Sequence, residues 1–419
     1  MPELGVNLVG HFNAAVGLGE AARSTMRALD AAGIPYVLSN CEIGVNPLPG
    51  LEAAFTDKRP YPVDIIHLNP NWIPRFADVF EREPRRYRVG YWLWETPIFP
   101  DEWRFAFDLV DEVWTSSRFC VEAIGRVSPV PVVRIPLTVD ARQPESTSSG
   151  VKIPEGKFVY LFVFDFGSGY KRKDPPAVIR SFLAAHGEND DVLLVIKSAN
   201  SHLDTPGRDE IRKLIGDARN ILWIDKLLPR DDIIHLMRRA DCYVSLHRAE
   251  GFGLTIAEAM SLGKPVIATG YSGNMDFMTA ENSFPVRYRP TAIDAGRSDI
   301  YRGKGEWAEP DEQHAADLMR YVYDYRDATR EIGERAAADV RGQLNANAVG
   351  EMIKERLGLI TGYFSGRDAG APRSGEAVLY KNRVGELERQ IDAMRQSRFW
   401  KMRDRWFAIK RALGLTHEE

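Results

Sequence analysis

Cysteine is scarce in this chain: 419 residues contain three, Cys41, Cys120 and Cys242. A sparse, odd and widely spaced set builds neither a disulfide framework nor a zinc site, which points to a reducing, cytoplasmic setting. Neither charge sign dominates. Lys and Arg number 55 against 59 Asp and Glu, a formal net charge of −4. No global basic field gathers nucleic acid, so no nucleic-acid partner is expected. Long apolar runs are missing too. The longest, 158–164, has seven residues, against the ~18 that a spanning helix needs. The first residues carry Glu3 and no cationic region, unlike a secretory signal. There is no Asp-x-Asp pair, and His247 has no second His, Asp or Glu at ligand spacing. Neither a metal nor another cofactor is therefore expected.

What is present is a regular alternation. Short β-branched or aromatic runs recur at 6–9, 36–38, 63–68, 87–92, 112–115 and 132–135, then at 158–164, 192–197, 221–224, 242–246, 265–268 and 283–286. Each is followed by an amphipathic stretch. Such runs predict parallel strands covered by helices on both faces. The twelve split six and six at the polar linker 143–150. The expected fold class is α/β: two Rossmann-like doubly wound domains facing across a cleft, plus a helical tail. We place an N-terminal acceptor domain at 1–145 and a donor domain at 151–345. A helix at 346–365 returns towards the first domain, and a basic amphipathic tail spans 376–419. Ligands should bind in loops beyond the strand ends.

The most informative loop is 247–265, HRAEGFGLTIAEAMSLGKP. A strand runs into Gly251 and Gly253, and a helix begins near Leu254 and Thr255. Glycines allow close backbone approach, and a new helix offers unpaired N–H groups, so the turn is a phosphate seat. Glu250 and Glu258 flank it. Carboxylates only accept, and so suit ligand hydroxyls. A nucleoside diphosphate joined to a sugar has both chemistries. A cation cluster, Lys171, Arg172 and Lys173, follows the first strand of the second domain and invites an anion. Lys197 ends the next strand, beside the nucleotide site by topology. His247 precedes the glycines as a candidate neighbour of the ligand.

In the first domain, Gly17-Leu18-Gly19 with Ala22 fits the dinucleotide fingerprint, but Gly17 lies too far past its strand for that reading. The run 91–99, YWLWETPIF, is dense in aromatics that suit a core better than a sugar wall. Glu95, placed among them, would cost energy unless paired, and is a candidate polar group on the acceptor side. His67 either lines the cleft or is a core histidine.

The segment EGFGLTIAEAM, with Glu-x7-Glu, followed by GKPVIATGYSGN, resembles the donor signature of retaining glycosyltransferases of family 4. The resemblance covers about residues 4–360. It implies the GT-B fold and a metal-independent hexosyl transfer from a nucleoside-diphosphate sugar, with retention by front-face attack. It implies that Glu258 holds the ribose, and that Glu250 with the Gly251, Phe252, Gly253 and Leu254 backbone meets the sugar and phosphates. In the family an Arg and a Lys about five apart neutralise the diphosphate. Lys173 matches the Lys, Ser168 stands at the Arg position, and Arg172 is the substitute cation. The Gly17 and Gly19 pair closes over the donor phosphate.

In the tail, Phe399, Met402, Trp406, Ile409 and Leu413 form a helical stripe amid Lys and Arg. Between Tyr380 and Leu415 ten cations face four acids. Residues 398–413 therefore read as a membrane-surface helix or a helix for a partner subunit. The first option puts the protein on the inner face of the plasma membrane, with a lipid-linked or cell-surface glycan as acceptor and polysaccharide synthesis as the process. Two other functions fit the same scaffold: a sugar-nucleotide epimerase or hydrolase, and a non-catalytic sugar-nucleotide binder.

Overall fold

The computed structural model describes residues 5–44, 46–48, 55–80, 86–139, 151, 153–294, 301 and 305–364. The linker 143–150 and the tail 376–419 lie outside the described residues. The first sheet contains β1 (Val6–Gly10), β2 (Tyr36–Asn40), β3 (Val63–Ile66), β4 (Tyr87–Tyr91), β5 (Glu112–Thr115) and β6 (Val132–Arg134). All pair in parallel, in the order β2-β1-β3-β4-β5-β6. The second contains β7 (Phe158–Val163), β8 (Val192–Ser198), β9 (Ile221–Asp225), β10 (Cys242–Ser245), β11 (Val266–Thr269) and β12 (Phe284–Val286). These also pair in parallel, in the order β12-β11-β10-β7-β8-β9. The two six-stranded sheets are those expected from the apolar runs. Their near-continuous hydrophobicity follows from burial on both faces: every residue of β7 and β8 is buried.

The connecting helices are α1 (Gly17–Ala32), α2 (Arg118–Gly125), α3 (Tyr170–Lys173), α4 (Pro175–His186), α5 (Thr205–Ile215), α6 (Arg230–Arg239) and α7 (Leu254–Ser261). After the sheets come α8 (Glu312–Asp324), α9 (Arg326–Gln343) and α10 (Ala346–Phe364). Local chemistry sets their ends. Gly33, at φ 66°, ends α1, and Gly263, at φ 75°, follows the last turn of α7. Ser117 caps α2, and Asp174 caps α4 ahead of Pro175 at its first position. Two connections in the first domain are 3-10 helices, Pro70–Phe80 and Asp101–Leu109, the former with Pro74 inside.

A feature the apolar pattern did not predict is an antiparallel hairpin, β13 (Tyr288–Ala292) with β14 (Glu306–Pro310). β13 is largely exposed, so it lacks the buried run that marks a central strand. The hairpin reaches the first domain, where Tyr301 packs on Trp94 at 5.8 Å between ring centroids. Further contacts join the domains. α10 packs on α1, where Gly350 allows close approach: a Cβ there would stand 2.5 Å from the Ala28 carbonyl oxygen. Arg356 of α10 pairs with buried Glu112 of β5. Arg134 pairs with Asp276 at 2.6 Å. The aromatic run 91–99 is core, as expected: Trp92, Trp94 and Phe99 are buried.

Candidate active site

Strand order decides where a ligand can enter. In an open parallel sheet the crevice lies beyond the carboxyl ends of the strands at which the order reverses. In the second sheet those strands are β7 and β10. The chain leaving β7 carries the Arg172 and Lys173 cations, and the chain leaving β10 carries Glu250 and the glycines.

The β10–α7 turn is built on backbone. Gly253 has φ 88°, in the left-handed region that favours glycine, and no side chain caps α7. The first amides of that helix therefore have no side-chain acceptor, the arrangement that suits an anion. The Glu250 carbonyl accepts from the Gly273 amide at 2.9 Å, and the Glu250 amide donates to Ser272 Oγ at 2.7 Å. A Cβ on Gly273 would stand 2.2 Å from the Gly251 carbonyl oxygen. From the first domain, Ser117 Oγ donates to that same carbonyl at 2.6 Å, with Ser116 Oγ at 3.3 Å and Cys120 Sγ at 3.2 Å. Gly251, Phe252 and Gly253 are buried, and Leu254 and Thr255 are half-buried. Thr255 Oγ1 accepts from the Tyr243 hydroxyl at 2.8 Å.

The Glu250 side chain lies between two cations, the ammonium of Lys173 and Arg172 Nη1, the latter at 3.2 Å. Burial alone would raise its carboxyl. Lys173, Arg172 and His247 outweigh that and bring it down to about 2. Arg172 is anchored, since its Nε and Nη2 donate to the Ser168 carbonyl at 3.1 and 2.8 Å and Nη1 donates to the Ala249 carbonyl at 2.8 Å. Ser168 thus supplies a carbonyl that aims Arg172. Lys173 has no such backbone anchor among the described residues, and is the cation best able to change partner.

Glu258, in the middle of α7, is buried. Arg230 Nη2 lies 2.7 Å from its Oε1, yet that oxygen accepts no well-aligned hydrogen bond. Burial raises the carboxyl and Arg230 opposes this. Arg230 also lies 3.7 Å from Glu20 of α1, which pairs with Arg23 and Arg27. The string of alternating charges ties the two domains beside the β10–α7 turn. Gly17 and Gly19 form the first turn of α1 itself. A Cβ on Gly19 would stand 2.4 Å from the Ala14 carbonyl oxygen, so a side chain there would disturb the loop below.

Lys197 is buried at the end of β8, and its ammonium has no hydrogen-bond or ion-pair partner among the described residues. Burial lowers its affinity for a proton, opposed by Asp165 and Asp225. An anion placed there would offset that cost. His247 is buried with both nitrogens occupied: Nδ1 faces Ser245 Oγ at 3.1 Å and Nε2 faces Asn274 Oδ1 at 3.0 Å. It props the turn from within the protein.

A cavity of about 620 Å³ lies in the cleft. Of the residues expected from sequence, Glu95, Gly17, Ser168 and Arg172 line it. Glu95 accepts from the Tyr301 hydroxyl at 3.0 Å, and the Tyr301 ring lies 5.8 Å from the Arg172 guanidinium carbon. Glu95 therefore reaches the cation cluster through a tyrosine of the opposite domain. Sequence reasoning missed Tyr301, which sits in a loop with no motif. It also missed His11, which precedes the Gly17 and Gly19 pair and lines the cavity. His67, by contrast, does not line it. His67 is buried, stacks on Tyr91 at 4.5 Å, and is lowered by burial to about 3. Among the described residues no three His, Cys, Asp or Glu side chains group as a metal site would.

Residues 145–295 match the family of glycosyl transferases, group 1. A sucrose synthase of Melioribacter roseus is 38% identical over 97 residues, which are 21% of this chain and 12% of that protein. The match thus spans a small part of that curated relative's length. Among solved structures, HepE of Anabaena in complex with UDP and glucose has a TM-score of 0.63 at 16% identity, covering 85% of this chain and 100% of that one. Sucrose-phosphate synthase from Thermosynechococcus elongatus has a TM-score of 0.61 at 14% identity, covering 85% and 99%. The fold is that of two-domain GT-B glycosyltransferases, and the matched group 1 segment includes the β10–α7 turn.

Proposed function

We propose that this chain is a glycosyltransferase that takes a sugar from a nucleoside-diphosphate donor in the second domain and passes it to a hydroxyl of an acceptor held by the first. The observation that carries this is the pairing of Glu250 with Lys173 and Arg172 at the β7/β10 switch point, under an uncapped helix start. The diphosphate takes Lys173 from Glu250 and accepts from the α7 amides. Glu258 Oε1 receives a ribose hydroxyl, and Lys197 meets an anionic part of the nucleotide. As the bond between the anomeric carbon and the phosphate oxygen breaks, the departing charge is held by Lys173, Arg172 and backbone N–H groups. Each well-aimed donor contributes about 3 kcal/mol at such a site. Closure of the cleft on the donor would keep water from the activated sugar.

The resemblance to family 4 supports retention: the acceptor oxygen attacks the face that the diphosphate leaves, and the leaving phosphate takes the acceptor proton. Metal-free transfer is part of this reading, because lysine and arginine carry the charge. The UDP in the Anabaena crystal supports a nucleotide donor of that kind. The basic, Trp-bearing pattern at 398–413 supports an acceptor at a membrane surface, such as a lipid-linked glycan. No helix among the described residues is long and apolar enough to cross a membrane.

The test is a thermal-shift panel of UDP, GDP, ADP and their sugar derivatives, since a ligand bound only by the folded form raises its stability. One nucleoside diphosphate should shift the transition upward, and Lys173→Ala should reduce the shift. A flat response to all of them would overturn the reading.

A further inference from the structure

Glu258 projects from the middle of α7, and the cation beside it comes from another helix. Arg230 opens α6, directly after Pro229. An acid is preferred there, because the helix dipole is positive at that end, and the next two residues, Asp231 and Asp232, follow the preference. Local helix chemistry therefore does not account for the arginine, whereas its long-range contacts do. Arg230 Nη2 lies 2.7 Å from Glu258 Oε1, and Nη1 lies 3.7 Å from Glu20 Oε1 of the first domain.

The two carboxylates are unequal partners. Glu20 also holds Arg23 at 2.9 Å and Arg27 at 2.7 Å. Burial would raise its carboxyl, and Arg230, Arg27 and Arg23 together outweigh that. Glu258 forms an ion pair with Arg230 only, among the described residues. Burial raises its carboxyl, and the net shift stays upward although Arg230 opposes it. The other groups that face Glu258 are Glu20 and Arg27 of α1 and Tyr243 of β10. Glu20 acts with burial and Arg27 acts against it, less than Arg230 does. The Tyr243 hydroxyl is kept neutral by burial and donates to Thr255. Arg230 is thus the main group that keeps Glu258 charged.

Arg230 does this without filling the acceptor. It meets Oε1 out of hydrogen-bond alignment, so this buried oxygen lacks a donor. An acceptor left open at such depth is costly unless a ligand hydroxyl completes it.

We infer that Arg230 is a positioning residue that sets a preference for ribonucleotide donors. Held between Glu20 and Glu258, it fixes the Glu258 carboxylate as the acceptor of a ribose hydroxyl and leaves Oε1 open to receive it. Arg230 acts through Glu258 and needs no contact with the nucleotide. This rests on the glycosyltransferase reading and adds a specificity-determining residue to it.

The test is calorimetry on the full chain with UDP, GDP and ADP, each beside its 2′-deoxy and 3′-deoxy forms. The unaltered chain should bind the best of the three about tenfold or more tighter than one of its deoxy forms. In Arg230→Met that ratio should fall to about twofold or less at about pH 7 and recover at about pH 8.5, because a buried carboxyl without its cation takes up a proton at higher pH. Once protonated, it is no longer a charge-assisted acceptor. Arg230→Lys, which keeps the cation, should hold most of the ratio at both pH values. A ratio near one in the unaltered chain overturns the inference, as does a ratio in Arg230→Met that is equally low at both pH values. Equal weakening of ribo- and deoxyribonucleotides by Arg230→Met, or no change in either, overturns it as well. In each of these cases nucleotide still binds, and the donor reading stands. If none of the three binds the unaltered chain, the donor reading falls, and this inference with it. Should Arg230→Met fail to fold, Arg230→Gln, also neutral, takes its place in the same measurements.

Discussion

The hydroxyl of Ser117, at the start of α2 in the first domain, donates to the carbonyl of Gly251 in the β10–α7 turn of the second at 2.6 Å. The Ser117 Oγ also accepts from the Cys120 amide at 3.2 Å and so caps α2. One small side chain therefore ends a helix and pins the two domains at the site. Ser117→Ala should lower stability by about 1–2 kcal/mol, from the lost cap and the loss of the shortest of three donors to the buried carbonyl. Chemical denaturation measures the loss. A variant as stable as the parent would show that the contact is not formed in solution.

Lys173 and Glu250 should respond in opposite ways to nucleotide. On the proposed transfer, Lys173→Met removes a cation that would hold the departing diphosphate and should cut kcat by about 100-fold or more. Glu250→Gln removes the carboxylate that competes for Lys173. Its affinity for UDP should be equal or tighter than the parent's, while turnover falls. Calorimetry with UDP, set beside initial rates, separates the two; weaker UDP binding by Glu250→Gln would refute the exchange of partners.

Acid should reveal the same pair. The Glu250 carboxyl is held at about 2 in the fold, below its ordinary 4.5. A depressed carboxyl contributes stability that is fully present above 4.5 and is lost as pH falls from there towards 2. Glu250→Gln has no such group. Its Tm should therefore fall less steeply than the parent's between pH 5 and pH 3, and parallel curves would count against the pairing.

Gly273 leaves no room beside the donor turn, since a Cβ would meet the Gly251 carbonyl oxygen at 2.2 Å. Gly273→Ala must push that turn towards the first domain. Donor binding should be lost or reduced by about tenfold or more, a cost of the size expected for overpacking. A nucleotide titration of the purified variant checks this, and a Kd equal to the parent's would contradict the packing.

The basic stripe at 398–413 predicts attachment to anionic vesicles. Flotation with phosphatidylglycerol liposomes should recover the full chain and not a chain ending at residue 375. Equal recovery of both would assign the stripe to another task.

Much of this protein was legible as a string. The twelve parallel strands were, because burial on both faces writes a short apolar run that needs no knowledge of its neighbours. The β10–α7 turn was as well, because Gly251, Gly253 and the flanking Glu250 and Glu258 are set by backbone requirements within a dozen residues. Only the tertiary structure decided what meets across the cleft. The order of strands, and with it the two reversal points, depends on long-range pairing. His11 is held by the carbonyl of Cys41, thirty residues away, while its other ring nitrogen has no partner among the described residues. Tyr301 came to Glu95 across 206 positions of sequence, carried by an exposed hairpin that has no buried face to announce it. The role of Ser168 turned on its carbonyl, a group that every residue carries and that no motif can mark. Local patterns specify elements and backbone turns. Convergence of side chains from separate strand ends arises only once the sheets have formed and closed on each other.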